Sequence, residues 1–188
     1  MDYVRSNHFE YAPATPVSDY EALVRAIIGQ QLSSLASRAI FERLLRLIGG
    51  VPVTPASLIK TPVEELSMIG LSKQKIAYIT DIGQSLINGT LHLGKIHASN
   101  DHGAIEQLTA IKGVGQWTAE MFAIFQMGRQ DIFPLQDVGI RNAMRKLYHL
   151  PPTTKDCEFL EIATHWRPHR SIACQFLWLG LDTGYFGQ

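Results

Sequence analysis

Gly113-Val114-Gly115 places two glycines around one apolar residue. Such a triplet lets the backbone turn through positive φ and approach another molecule closely. Gln116, Trp117 and Thr118 follow and read as the first turn of a helix, whose amides lack acceptors of their own. Amides so placed, with a helix dipole behind them, make a ready phosphate site. Lys112 adds positive charge, no acid interrupts the turn, and Ile111 and Val114 can anchor it by burial. An ordinary helix–helix connection uses the same glycines, and this segment alone leaves both readings open. Asp137 is the other residue of interest. It stands just before a helix that starts at Val138, so it reads as an N-cap, and a cap also fixes where its carboxylate points.

Holding these groups requires helices on both sides, and the chain supplies them. Ser18, with Glu21 three residues on, predicts a capping box and a first helix. Ser33 or Ser34 opens a second, which Gly49-Gly50 ends. Thr54-Pro55 and Thr61-Pro62 each place a cap before proline, predicting short helices over 55–60 and 62–68. Ser72 caps a helix running to about Asn88, and 91–97 reads as a loop. Further helices are expected from Ser99 or Asn100 to about 110, over 115–127, 137–148, 154–165 and 168–182. Only 130–133 alternates enough to suggest a strand. The expected class is all-α with about ten helices. Residues 66–77 echo 108–119, both reading as helix, glycine turn, helix.

Composition narrows the function. At 46% hydrophobic and 18% charged residues, the 188-residue chain can bury a core and is not a disordered tail. A formal net charge of zero argues against gripping nucleic acid by bulk charge, though a local basic face stays compatible. Cys157 and Cys174 lack zinc spacing and cannot hold a four-cysteine iron–sulfur cluster, so they read as two buried thiols in a reducing cytoplasm. Residues 1–16 show no signal peptide, and no apolar run reaches transmembrane length.

Ile111-Lys112-Gly113-Val114-Gly115-Gln116-Trp117-Thr118-Ala119, followed by Phe133-Pro134-Leu135-Gln136-Asp137 and Ile140-Arg141, resembles the hairpin, Gly/Pro-rich loop and aspartate signature of the helix-hairpin-helix (HhH-GPD) DNA glycosylases. Within that superfamily the chain is most similar to the 3-methyladenine DNA glycosylase II, or alkylbase, branch. Val24-Arg25-Ala26-Ile27-Ile28-Gly29-Gln30-Gln31-Leu32-Ser33 and Trp166-Arg167-Pro168-His169-Arg170-Ser171 extend the likeness.

The resemblance implies two helical lobes around a DNA- and base-binding cleft. The central lobe would span about 33–136, and the second would combine the N-terminal segment with about 137–188. It implies that Lys112, Gly113, Val114, Gly115, Gln116 and Thr118 meet DNA. It also implies that a monovalent cation, Na+ or K+, sits on the carbonyls of Thr109, Ile111 and Val114. Asp137 would be catalytic. Breaking a base–sugar bond builds positive charge on the sugar, which a carboxylate can stabilise while it orients or deprotonates water. A cationic leaving base needs no general acid, so no further cofactor is expected. Trp117 stands where bifunctional relatives carry a Schiff-base lysine, which implies base release without strand cleavage.

The base pocket is expected at Trp117, Met121 and His169. An indole face there would attract a methylated, cationic purine, although Trp117 reads equally as core. Gln30, Gln31 and Leu32 match the loop that fills the gap left by an everted base. Arg141, Arg145, Lys73 and Lys75 are further phosphate candidates. The implied partner is double-stranded DNA with a damaged base, met by a cytoplasmic monomer away from membranes. Two other readings keep the motif: a glycosylase for deaminated or mismatched bases, and a non-catalytic hairpin DNA-binding module.

Overall fold

The computed structural model describes residues 17–50 and 52–185; the segment 1–16, read above for targeting signals, lies outside them. Among the described residues, eleven α-helices run in order: α1 (Asp19–Gly29), α2 (Ser34–Leu47), α3 (Pro55–Lys60), α4 (Val63–Met68), α5 (Lys73–Ile87), α6 (Leu93–Ala98), α7 (Asp101–Thr109), α8 (Gln116–Phe125), α9 (Val138–Tyr148), α10 (Asp156–Thr164) and α11 (Arg170–Asp182). No strand occurs among the described residues.

Helix starts follow the capping chemistry closely. Ser18, Ser33, Ser72 and Asn100 each accept a first-turn amide with the side chain. Two expected devices differ. Ser18 caps alone, because the Glu21 carboxylate turns to Arg25 at 2.7 Å instead of back to the cap. Thr61 does not cap α4: its hydroxyl donates to the Ser57 carbonyl at 2.9 Å, and Pro62 takes the cap position.

The expected loop 91–97 contains helix α6. It carries no side-chain cap, so no local signal announced it. Burial of Leu93 and Ile96, three residues apart on one face, holds it in place. The suggested strand at 130–133 finds other partners. Gln130 O accepts the Ser171 amide and the Ile132 amide donates to Ser171 Oγ, each at 2.9 Å, so the start of α11 satisfies this loop.

Two cores organise the molecule. The first is built on Leu23, Val24, Ile27 and Ile28 of α1 with Leu44, Leu58, Ile79 and Leu108. It therefore begins at α1, earlier than the expected boundary near 33, because four fully buried residues of α1 pack within it. Tyr20 reaches across to donate to Ile79 O at 2.9 Å, in a space that Gly83 leaves open. The second core gathers Phe133, Ile140, Ala143, Met144, Phe159, Cys174 and Leu177 from the chain beyond the hairpin. Helix α8 joins the two. Its Ala119 and Phe122 belong to the first core, while Ala123 and Ile124 pack with Ile132 against Trp178.

Candidate active site

The turn between α7 and α8 is shaped by Gly113, at φ +91°. A Cβ here would sit 2.4 Å from the Tyr78 ring, so the position demands glycine twice over, by conformation and by space. Val114 is buried and anchors the turn, and its amide donates to Ile111 O at 2.9 Å. Gly115 is the N-cap of α8 and supplies no side-chain acceptor. The first-turn amides of Gln116, Trp117 and Thr118 are therefore left for another oxygen. Lys112 is exposed, 3.9 Å from Asp81. Thr118 is buried, and the exposed Gln116 spends its side-chain N–H on Glu120. Thr109, Ile111 and Val114 share with Gln30, Gln31 and Lys75 the walls of a cavity of about 530 Å³.

Asp137 opens the neighbouring helix. It is 8% exposed, and three N–H groups converge on its carboxylate. Oδ1 accepts the Ile140 amide at 2.8 Å and Trp178 Nε1 at 3.1 Å; Oδ2 accepts Trp117 Nε1 at 2.7 Å. Gly139 makes room, since a Cβ there would lie 3.1 Å from Oδ1 and 3.4 Å from Trp178 Cδ1. Neutral donors hold the group without a cation at hydrogen-bond distance, so its negative charge stays available to a positive centre. The hairpin and the carboxylate are thus joined through Trp117, the second residue of α8.

Two acids share this neighbourhood. Glu120 is buried, with Oε1 on Gln116 Nε2 at 2.8 Å and Oε2 unpartnered. Burial pushes its carboxyl up, the Gln116 hydrogen bond opposes, and nearby Asp137 adds to the rise. Burial likewise pushes the Cys174 thiol up to about 12, with Asp137 reinforcing it. Such a thiol is an inert core group. Cys157, expected to be buried, is exposed, because it lies on the outer face of α10.

The remaining expected site residues separate. Trp117 is 47% exposed and keeps ring surface open beside Asp137. Met121 is partly buried and packs with the small cluster that includes Trp178. His169 is exposed at the N-cap of α11, about 13 Å of helix rise before Trp178. No hydrogen bond brings it to Asp137. Arg141 and Arg145 are drawn into the second lobe. Arg141 pairs with Asp156 at 2.6 Å, and both guanidinium groups lie over the Phe159 ring. Arg167 and Arg170 converge on Asp131, whose carboxyl Arg170 holds below its ordinary range. Lys75 turns inward to two carbonyls. Trp178 and Glu120 had no local signal: each reads as one more residue on an amphipathic helix.

An all-helical fold with an open glycine hairpin bonded through an indole to a helix-capping aspartate is that of a helix-hairpin-helix protein. The chain belongs to the HhH-GPD superfamily of base excision DNA repair proteins, whose family model matches residues 24–168. It is 36% identical over 162 residues to the DNA-3-methyladenine glycosylase 1 of Schizosaccharomyces pombe, covering 85% of this chain and 71% of that protein. Among solved structures it resembles a DNA-3-methyladenine glycosidase from Bacillus halodurans, with TM-score 0.83 and 34% identity over 95% of this chain and 82% of the other. The S. pombe enzyme Mag1, in complex with abasic DNA, gives TM-score 0.81 and 31% identity over 94% and 88%.

Proposed function

We propose that this protein hydrolyses the N-glycosidic bond of alkylated purines in duplex DNA, of the 3-methyladenine and 7-methylguanine type, as a step of base excision repair. The observation that carries this is the Asp137 carboxylate, held by three N–H donors at the edge of an open indole. Cleavage leaves positive charge on the sugar. A fixed carboxylate stabilises it electrostatically and orients or deprotonates the attacking water. The exposed face of Trp117 receives the everted base, and its quadrupole favours a cationic purine over a neutral one. Met121 lies on the same helix, one turn further on. His169 has less claim to the pocket, given its distance along α11.

The strand is held at the hairpin. The amides after Gly115 take a phosphate, and exposed Lys112 adds charge. The Gln31-Leu32 tip, beside the hairpin, enters the gap left by the base; Leu32 is 40% exposed. A monovalent cation fits the carbonyls of Thr109, Ile111 and Val114. The turn offers neutral oxygens, and Ile111 O keeps one lone pair beyond its bond to Val114. Such an ion would brace the turn and takes no part in bond breaking. Trp117 offers no amine to attack the sugar, so the abasic strand stays intact. The place of work is wherever the cell keeps its DNA, in a bacterium the cytoplasmic nucleoid.

Mass analysis of the bases released from methylated DNA tests the reading. Methyladenine and methylguanine should appear with the native protein. With Asp137→Asn they should not, although the variant still binds duplex. Unchanged release by that variant overturns the role of Asp137. Preferential release of uracil or hypoxanthine overturns the substrate, and an adduct trapped by borohydride overturns hydrolysis by water.

A further inference from the structure

Helix α1 ends with carbonyls that have no helical donor left. Two of them, Ile28 O and Gln30 O, accept from the Lys75 ammonium, each at 2.8 Å. The Gln30 side chain reaches the other way. Its Nε2 donates to Gly113 O at 2.8 Å and approaches Thr118 Oγ1 at 3.4 Å. One residue is therefore held from both ends, by its backbone from α5 and by its side chain from the hairpin and α8. The two holders occupy matching places. Lys75 is three residues after the cap Ser72, and Thr118 is three after the cap Gly115.

The next residue, Gln31, has φ +59°, a conformation that a non-glycine residue keeps only when its surroundings impose it. Lys75 and Gln30 are those surroundings. An ammonium with two short bonds to carbonyls is also poorly free to serve as a mobile phosphate contact.

We propose that Lys75 and Gln30 are positioning residues that lock the Gln31-Leu32 tip to the hairpin. Gripping the backbone and filling the gap then become one rigid operation. A tip ordered in advance loses little further freedom when it enters the stack. The benefit falls on lesions that must be pulled from a stable base pair, because those require the gap to be held open. This rests on the glycosylase reading above.

The test is single-turnover release of one alkylated purine from two duplexes. In one the lesion faces its normal partner; in the other it faces an abasic site, so no pair has to be broken. Lys75→Met removes the backbone hold and Gln30→Ala the side-chain hold. Each variant should lose about tenfold or more on the paired lesion and less than about threefold on the unpaired one. The salt dependence of duplex binding by Lys75→Met should stay as in the native protein.

Equal loss on both duplexes would overturn the proposal, since damage to the fold or to the chemistry does not distinguish them. So would no loss on either. A salt slope reduced by about one would make Lys75 a phosphate contact instead. If Lys75→Met fails to fold, Gln30→Ala, which deletes one half-buried arm, decides alone. Failure of the native protein to release base from either duplex would reject the glycosylase reading itself.

Discussion

Helices α8 and α9 begin in opposite ways. At Gly115 the first-turn amides of α8 meet no side chain of their own. At Asp137 one first-turn amide of α9, that of Ile140, is met by the cap's own carboxylate at 2.8 Å. A helix N-terminus carries roughly half a positive charge. Left open, it attracts a foreign anion; filled by a resident one, it aims that anion. The start of α5 shows a third choice. Ser72 satisfies the Lys75 amide with a neutral hydroxyl, and the helix start is neither open nor charged. Of the two echoing turns, the uncapped one is therefore the better phosphate site. The capped one contributes Lys75 to the clamp on α1.

The contrast breaks most completely at Asp137. Asparagine keeps a capping oxygen but turns an NH2 toward the Trp117 indole N–H and loses the charge, so base release should fall about 100-fold or more, with a lower thermal midpoint from the lost indole bond. Alanine should lose the same activity and, in addition, about 1 kcal/mol of stability with the cap. Paired kinetics and melting curves separate the two jobs. An alanine variant as stable as the native protein would mean that the carboxylate contributes nothing to the helix start.

Gly113→Ala comes next. Its φ of +91° and the Tyr78 ring 2.4 Å from the new Cβ predict a loss of about 1–3 kcal/mol and poor duplex binding. Chemical denaturation measures the first and fluorescence anisotropy the second. A variant as stable as the native protein would show that the turn relaxes freely.

Legibility followed distance along the chain. Asp137 and its bond to Ile140 lie three residues apart, so the cap could be read directly. The partners that make it a site are more remote. Trp178 is 41 residues away, and nothing in α11 marks it from an ordinary core aromatic. Gln30-Gln31 reads as a polar turn because the bond of Gln30 to Gly113 spans 83 positions. Even the internal echo was legible only approximately. Matching leucines, Leu66 with Leu108, set it at one register. The positive-φ glycines Gly70 and Gly113 and the caps Ser72 and Gly115 place it one residue further on. Side-chain similarity tracks the helices before the turns, whereas backbone conformation fixes the turns themselves.

Smaller perturbations sharpen the picture around the filled helix start. Trp178→Phe removes one donor from Oδ1 and keeps an aromatic ring near Phe125. A hydrogen bond to a charged group is worth about 1.5–3 kcal/mol. Release should drop about tenfold with KM nearly unchanged; a change confined to KM would place Trp178 in base binding instead. Glu120 supplies a pH signature. Burial raises its carboxyl above the ordinary 4.5, with Gln116 opposing and Asp137 assisting. The folded protein keeps this proton in a window that opens where the unfolded chain loses it. Stability from this group is therefore whole at lower pH and falls as pH rises through the window. Glu120→Gln should melt progressively higher than the native protein as pH is raised from about 4.5. Parallel melting profiles would dismiss the buried acid as a source of pH dependence.

The finest test converts one kind of helix start into another. Gly115 has φ −85°, and a Cβ there would meet nothing within 4 Å, so serine enters without strain. Its hydroxyl can accept a first-turn amide of α8, as Ser72 does for α5. A Gly-to-Ser cap is worth a few tenths of a kcal/mol, roughly a degree or so in melting temperature. The same hydroxyl competes with the phosphate for that amide and stands where the strand approaches the backbone. Gly115→Ser should therefore be slightly more stable and bind duplex severalfold more weakly, with release from bound substrate unchanged. Higher stability together with undiminished affinity would mean that the amides of α8 do not hold the strand. Phosphate contact would then have to come from elsewhere on the hairpin, with exposed Lys112 the first residue to test.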